Sequence, residues 1–278
     1  MSDLLLKIYR YIGIKLSFPA HYFFMKSLDK VYHSKLEKLL LESKSLSRNL
    51  IVSIVKPPSN LKILALSPHP DDETFGAGGL LLAASENKCS IDIAFITTGK
   101  INTKEKVRNE AKQLSHTIGA KPHFLNNNPH AIKNSIIVNI RKLIEDISPD
   151  LVLLPFFMDD HDDHRRVNEL LIDLEEELVN VDIWAYQIYS TIPSNGVLDI
   201  TNFVDKKIQL MSIYKNVSGE RNWVHYILGN NAVASRYIPS KKKKYAELFF
   251  ICPAPIYIEY CKRYFLKSSI VYKDRYYR

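Results

Sequence analysis

The chain has 278 residues, 46% hydrophobic and 24% charged, a balance that suits one large α/β domain or two small ones and excludes extended disorder and fibrous repeats. Its net charge of +8 is unevenly spread: residues 1–60 carry ten Lys/Arg and four Asp/Glu, residues 241–278 carry ten and three, and the stretch between is net acidic. Three scattered cysteines, Cys89, Cys252 and Cys261, exclude a disulfide framework or a CxxC metal knuckle and point to a reducing, cytoplasmic setting.

Met1 to Leu28 is apolar and aromatic but is interrupted by Lys7, Arg10, Lys15 and Lys26. No run approaches the roughly 18–20 residues that span a bilayer, and no signal-peptide pattern is expected. Leu4, Leu5, Ile8, Tyr9 and Ile12 recur at helical spacing with lysines elsewhere on the wheel. Such a helix can pack on its own domain or make peripheral contact with an anionic membrane. A second helix is expected over residues 32–46, before the breaker Pro57-Pro58-Ser59-Asn60, so residues 1–60 read as a basic helical extension.

Beyond the breaker the pattern alternates. Strands are expected at residues 61–67, 90–97, 123–125, 151–155 and 182–189, with helices at 78–86, 104–118, 134–147 and 165–179. The run Lys241–Lys244 reads as a charged helix start. Strands separated by such helices imply βαβ units and a mainly parallel, covered sheet. Ligands on these sheets bind beyond the carboxyl ends of the strands, which directs attention to the residues just after 67, 97 and 155.

Two of those places hold unusual residues. Past the first strand comes His69-Pro70-Asp71-Asp72-Glu73, in a turn stiffened by Pro68 and Pro70. An imidazole and a carboxylate can hold a divalent metal there while a second carboxylate moves protons. Past residue 155 comes Asp159-Asp160-His161-Asp162-Asp163-His164, whose four carboxylates repel unless solvated or metal-bound. Either cluster alone is well explained as a solvated acidic loop. Two of one chemical type, each just past a parallel strand, favour a shared mononuclear site, and two His with one carboxylate is a ligand set of catalytic zinc hydrolases. Gly76-Ala77-Gly78-Gly79 opens a helix but lacks a P-loop's Lys-Ser/Thr, so tight helix–sheet packing is its expected role. His116, His123, His130 and His225 stand alone and read as structural or surface residues, and Trp184, Trp223 and Tyr186 as core aromatics or a sugar platform.

The two motifs together resemble the PIG-L (LmbE-like) family of metal-dependent N-deacetylases, whose pattern pairs an HPDDE motif with a later HPDH. Weaker matches are Thr97-Thr98-Gly99, Glu110-Ala111 with Ile118-Gly119, Asp199-Ile200-Thr201 with Lys206-Lys207 and Tyr214, and Tyr245-Ala246-Glu247-Leu248-Phe249. The likeness covers residues 61–250, leaving 251–278 as a basic tail. It implies a Rossmann-like three-layer α/β sandwich, with His69, Asp72 and His164 holding zinc, or iron(II) or another divalent metal. It makes Asp71 the general base, and His161 the group that stabilises the oxyanion and, as imidazolium, protonates the leaving amine. Asp163 would orient His161. This chain departs from the pattern at Asp162, where the family has Pro, and at Val107, where it has a substrate-contacting Arg; Arg108 lies one residue later.

The implied activity is removal of the acetyl group from an N-acetylated amino sugar, a GlcNAc-type glycoconjugate or glycan precursor, with no nucleic-acid partner. The rivals are a metal-dependent amidohydrolase on a non-sugar or non-acetyl amide, and a non-catalytic lipid- or nucleic-acid-binding module using the basic ends.

Overall fold

Strands that carry Val, Ile and Leu with no polar alternation are stable only when both faces are covered. Three of the apolar runs behave in this way: β2 (Lys62–Ser67), β3 (Ser90–Thr97) and β5 (Leu151–Pro155) are buried throughout, apart from the first residues of β2 and β3. The structure is a computed structural model describing residues 51–99, 102–216 and 221–265. The helices expected within residues 1–50, and the membrane contact expected of them, lie outside the described residues.

In chain order, β1 (Ser53–Ile54) precedes β2, and α1 (Asp72–Glu86) links β2 to β3. Then come α2 (Lys104–Thr117), β4 (Lys121–Asn127), α3 (Ile137–Ile147), β5, α4 (Asp162–Leu170) and β6 (Asp182–Tyr186). After β7 (Gly196–Asp199) follow α5 (Val204–Met211), α6 (Trp223–Ala234), β8 (Ala246–Pro253) and α7 (Ala254–Phe265). Among the described residues the eight strands form one sheet in the order β1-β7-β8-β6-β5-β2-β3-β4. All pairs are parallel except those of β8 with β6 and β7. The expected α/β fold with a mainly parallel sheet is the observed one. No helix among the described residues is long and apolar enough to cross a membrane.

Several boundaries move, each for a local reason. The helix expected from residue 165 starts at Asp162, because the His161 side chain caps it by accepting from the Asp163 N–H at 3.2 Å. The strand expected to reach residue 189 stops at Tyr186, because the N–H groups of Tyr189 and Ser190 turn to Oδ2 of Asp159, at 3.1 and 3.4 Å. No helix starts at Lys241–Lys244: the chain there runs irregularly into β8, and the Lys244 ammonium pairs with Asp199 at 2.8 Å. The apolar Leu248-Phe249-Phe250 run is taken up between two strands, where pairing on both sides outweighs helix preference.

The folded region is also wider than residues 61–250. Its compact unit begins at Val52, with β1 paired to β7, so residues 52–60 belong to the sheet domain and not to a helical extension. At the other end, β8 and α7 use residues 251–265, and Tyr257, Ile258 and Cys261 on α7 are buried. The Tyr257 hydroxyl donates to Asn168 at 2.7 Å and accepts from the Phe157 N–H at 3.1 Å, tying this segment to α4 and the end of β5.

Helix α1 positions the site and is not uniform. It breaks its helical angles at Ala77 (φ −136°, ψ 20°), so the half expected from sequence, from Gly78 onward, follows a separate first turn. The break frees main-chain groups inside the protein, and a buried cluster satisfies them. The N–H groups of Gly79 and Leu80 donate to the Glu247 carboxylate at 2.7 and 2.9 Å. The Lys207 ammonium donates to the Phe75 carbonyl at 2.9 Å, to Asn231 at 3.1 Å and to Glu247 at 2.7 Å. The glycines serve close approach as expected: a Cβ at Gly79 would lie 2.4 Å from the Ile200 side chain.

Candidate metal centre

The loops after β2 and β5 leave neighbouring strands, since β2 pairs with β5, so clusters some ninety residues apart in sequence emerge side by side. His69 opens the first loop, Asp71 sits at the N-cap of α1, and Asp72 is the first residue of α1. His161 caps α4, while Asp163 and His164 lie in its first turn. Both helix N-termini thus face this end of the sheet, and their dipoles favour the carboxylates placed there.

Asp72 is the hub. Its Oδ2 accepts from the His69 N–H at 2.8 Å and lies 3.1 Å from both His69 Nδ1 and His164 Nε2. The His164 approach lacks hydrogen-bond geometry, so the buried Nε2, like the buried Oδ1 of Asp72, has no hydrogen-bond partner. The far nitrogen of each histidine is held by another carboxylate. His69 Nε2 meets Asp163 at 2.8 Å, and His164 Nδ1 meets Asp159 at 2.9 Å. Imidazoles fixed by a carboxylate on one nitrogen, with the other turned to Asp72 Oδ2, are arranged as in carboxylate–histidine–metal triads.

The donor set fits a divalent cation. Ligands at about 2.0 Å from one tetrahedral centre stand about 3.3 Å apart, close to the separations observed here. A ring nitrogen of His161 also comes within 4.8 Å of ring nitrogens of His69 and His164, so three imidazoles form a second candidate set. In the set His69, Asp72 and His164, both ring nitrogens stand 3.1 Å from one carboxylate oxygen, whose charge offsets that of a cation. Charge points the same way. Burial alone would pull His69 down, but Asp72 and the bond to Asp163 raise it to about 9; Asp72 and Asp159 do the same for His164. Burial would raise Asp72, yet His164 and His69 hold it well below the usual carboxylate range. The site therefore gathers positive charge, as protons or as a metal ion.

Asp71 is 6% exposed and has φ 140°, a value few side-chain-bearing residues adopt. Its N–H donates to Glu73 at 3.2 Å, and its carbonyl accepts from the N–H groups of Thr74 and Phe75 at 3.0 and 2.8 Å. Burial, with Asp72 and Glu73 adding, holds its carboxyl well above the ordinary range. Glu73 braces the loop and takes no part in the cluster's open face: its carboxylate accepts from Ser67, Thr74 and Tyr214, each at 2.7 Å. The last residue of β3 supports the loop as well, since the Thr97 hydroxyl and N–H both donate to the Pro68 carbonyl, at 2.8 and 3.0 Å.

Three expectations change. The Asp163 carboxylate does not orient His161; it accepts from His69 and from the His130 N–H at 2.8 Å, and only its main-chain N–H reaches His161 Nδ1. Burial, with the charges of His164 and His69, pushes His161 down to about 4, which opposes the expected imidazolium. Since Nδ1 is the acceptor, the neutral ring carries its proton on Nε2. Arg108 donates to Asn126 at 2.9 Å and lies 4.5 Å over the Phe124 ring, and neither partner belongs to the cluster.

The structure adds residues to the site. Asp159 stood in the acidic run but had no assigned role. His130, read as an isolated structural or surface histidine, stacks on His161 with centroids 5.3 Å apart. No local signal marks it, because the loop that carries it follows β4, at the far end of the sheet. Tyr189 stacks on His164 (5.4 Å, 10°) and leads to Trp223 at 5.4 Å and then Tyr226 at 5.9 Å. These aromatic residues are partly exposed and form a wall running outward from the cluster.

Comparison with known proteins agrees with this geometry. Residues 64–174, which span both clusters, match the family model PIG-L: GlcNAc-PI de-N-acetylase. Diacetylchitobiose deacetylase of Thermococcus kodakarensis is 24% identical over 234 residues, covering 72% of this chain and 86% of that protein. A glucosamine-6-phosphate deaminase-like protein of Bacteroides thetaiotaomicron is 27% identical over 89 residues, which span 32% of this chain but only 13% of that protein. Among solved structures, N,N'-diacetylchitobiose deacetylase from Pyrococcus horikoshii superposes with a TM-score of 0.59 at 19% identity, covering 78% of this chain and 93% of that one. GalB, a 4-carboxy-2-hydroxymuconate hydratase from Pseudomonas putida, does so at 0.58 and 17%, covering 69% and 95%. A deacetylase and a hydratase thus share this fold, and the reaction has to be argued from the site.

Proposed function

We propose that the protein is a metal-dependent hydrolase that removes the acetyl group from an N-acetylated amino sugar, with His69, Asp72 and His164 holding the cation. The observation that carries this reading is the approach of two ring nitrogens to one carboxylate oxygen of Asp72, each at 3.1 Å, with the buried Asp71 adjacent in the chain. A divalent cation held there supplies Lewis-acid polarisation of an amide carbonyl and acidifies a nearby water. Asp71 takes the proton from the attacking water; its raised affinity for protons suits a base that must hold one until it is passed on. The Nε2–H of neutral His161 donates to the oxyanion that develops on the former carbonyl. The proton taken up by Asp71 is then delivered to the leaving nitrogen, which departs as a free amine with acetate as the second product.

The test is acetate release from N-acetylated sugars in free, nucleotide-linked and lipid-linked forms, before and after dialysis against a chelator. Acetate is expected from at least one form, lost on chelation and restored by Zn²⁺ or Fe²⁺. A metal-loaded protein that releases acetate from none of them, but hydrolyses other amides, would shift the reading to a non-sugar amidohydrolase. The wall of Tyr189, Trp223 and Tyr226 supports a cyclic substrate, since sugar rings lay their C–H faces on aromatic rings. Trp223→Ala is accordingly expected to raise KM about five- to tenfold with little change in kcat, and an unchanged KM would remove the wall from the substrate site.

A further inference from the structure

Between the end of β4 and the start of α3 the surface opens into a cleft of about 230 Å³. Six of its lining residues are polar: Asn126, Asn127, Asn128, Lys133, Ser135 and Asn139. No Asp or Glu among the described residues lines it. Two of the six hold the loop in shape. Asn127 accepts from the Lys133 N–H at 3.3 Å and donates to the Leu125 carbonyl at 3.2 Å. Asn126 accepts from Arg108 at 2.9 Å and donates to the Phe124 carbonyl at 3.1 Å. The side chains of Asn128, Lys133, Ser135 and Asn139 are exposed and make no hydrogen bond among the described residues. A braced rim thus presents four polar side chains to a ligand.

The cleft adjoins the metal centre. Asn127 pairs with Thr97 at the ends of two parallel strands, so the cleft opens at the same end of the sheet as both clusters. Asn128 and Ala131 line it, and the Asn128 carbonyl accepts from the Ala131 N–H at 3.2 Å, closing a turn that contains His130. The His130 ring rests on His161, and its N–H holds Asp163. One turn of chain therefore separates the cleft from the cluster. His130, His161, His164 and Tyr189 form a row of stacked rings with successive centroids 5.3, 4.7 and 5.4 Å apart. The cleft lies at the His130 end of that row, and the aromatic wall starts at the Tyr189 end.

The lining selects among ligand classes. Each side-chain amide offers donors and an acceptor, and the serine hydroxyl does both, which matches sugar hydroxyls that also do both. A phosphate or carboxylate presents acceptors only, so the amide oxygens would face it unpaired, with a single ammonium to balance its charge. Buried Ile136 and half-buried Leu125 give the C–H face of a ring an apolar seat. We infer that this cleft is a second sugar subsite, which takes the saccharide unit joined to the N-acetylated one and hydrogen-bonds its hydroxyls through Asn128 and Asn139. The inference rests on the reading of the protein as an amino-sugar deacetylase and narrows its substrate to a molecule of at least two sugar units.

The test compares the whole chain with the double variant Asn128→Ala/Asn139→Ala, whose melting temperature is expected to match the wild type because neither side chain is bonded to the protein. The probe is a disaccharide of N-acetylglucosamine and a second neutral sugar, with N-acetylglucosamine alone as control. In chelator-treated protein, binding of the disaccharide followed by NMR is expected to weaken at least about fivefold in the variant, the loss of two neutral hydrogen bonds, while binding of the single sugar stays level. With metal restored, KM for the disaccharide should rise by the same factor at unchanged kcat. Equal disaccharide affinity in the two proteins overturns the subsite and leaves the deacetylase reading standing. So does an equal loss for both sugars, or a wild type that binds the disaccharide no more tightly than the single sugar. Inorganic phosphate that displaces the disaccharide, and binds more weakly to Lys133→Ala, would make the cleft an anion site and overturn the inference. A disaccharide that binds through the two asparagines but yields no acetate overturns the deacetylase reading and keeps the sugar subsite.

Discussion

Replacing Asp71 with Asn is expected to leave metal content at the wild-type level and to lower kcat by about 10²- to 10⁴-fold, the range associated with losing a positioned general base. Asn has nearly the same shape and tolerates positive φ better than most residues, so the unusual backbone at this position is retained. The main-chain bonds of Asp71 to Glu73, Thr74 and Phe75 do not involve its carboxylate and are retained as well. What is lost is a buried carboxyl whose proton affinity is raised by burial and by Asp72 and Glu73. An amide can neither accept the water's proton nor pass one on. Metal analysis alongside acetate release separates the roles, because His164→Ala should lose the metal and the activity together. Wild-type turnover in Asp71→Asn would reject Asp71 as the base.

Replacing Lys207 with Met is expected to cost about 3–5 kcal/mol of stability, the range for breaking a buried ion pair from one side. Both Lys207 and Glu247 have fully buried side chains, and they meet at 2.7 Å. Burial pulls the ammonium down, and Glu247 opposes that pull. Met matches the length and apolar stem of Lys, so the volume is nearly conserved. The variant nevertheless leaves the Glu247 carboxylate without its counter-ion and the Phe75 carbonyl without its donor. Adding Glu247→Gln should recover part of the loss, because no buried charge then remains and the side-chain oxygen of Gln can still accept from Gly79 or Leu80. Denaturant unfolding of the two variants measures both effects. A loss under about 1 kcal/mol in Lys207→Met would show that the pair does not hold the bend of α1.

Lys207 and Glu247 also show how unevenly the site was legible. Both lay in the weaker stretches of the family resemblance, and nothing local distinguished Lys207 from the neighbouring Lys206, which pairs with Glu86 at the surface. Position along α5 separates them: one residue later on a helix points about 100° away, here into the interior. Tyr186 is similar. A tyrosine ending an apolar strand looks like core from its neighbours in sequence, and only the tertiary structure seats its ring against Gly76. Aromatic and charged residues take their roles from what packs against them, which a local pattern does not contain.

The amino-acid sequence by itself determined the alternation of buried strands and helices, the placing of chemistry beyond β2 and β5, and the residues with the chemical capacity for a metal and a base. Those features are local: they follow from runs of apolar residues, from prolines and helix caps, and from the density of His and Asp in two short loops. Tertiary structure alone decided how those residues are used. It turned Asp163 toward His69, recruited Asp159 and His130, lowered the proton affinity of His161, and set Arg108 against Asn126 and Phe124. It also changed the meaning of the opening charge balance. Part of each basic end, residues 52–60 and 251–265, belongs to the folded domain, because strand pairing and apolar burial there depend on partners far away in the chain.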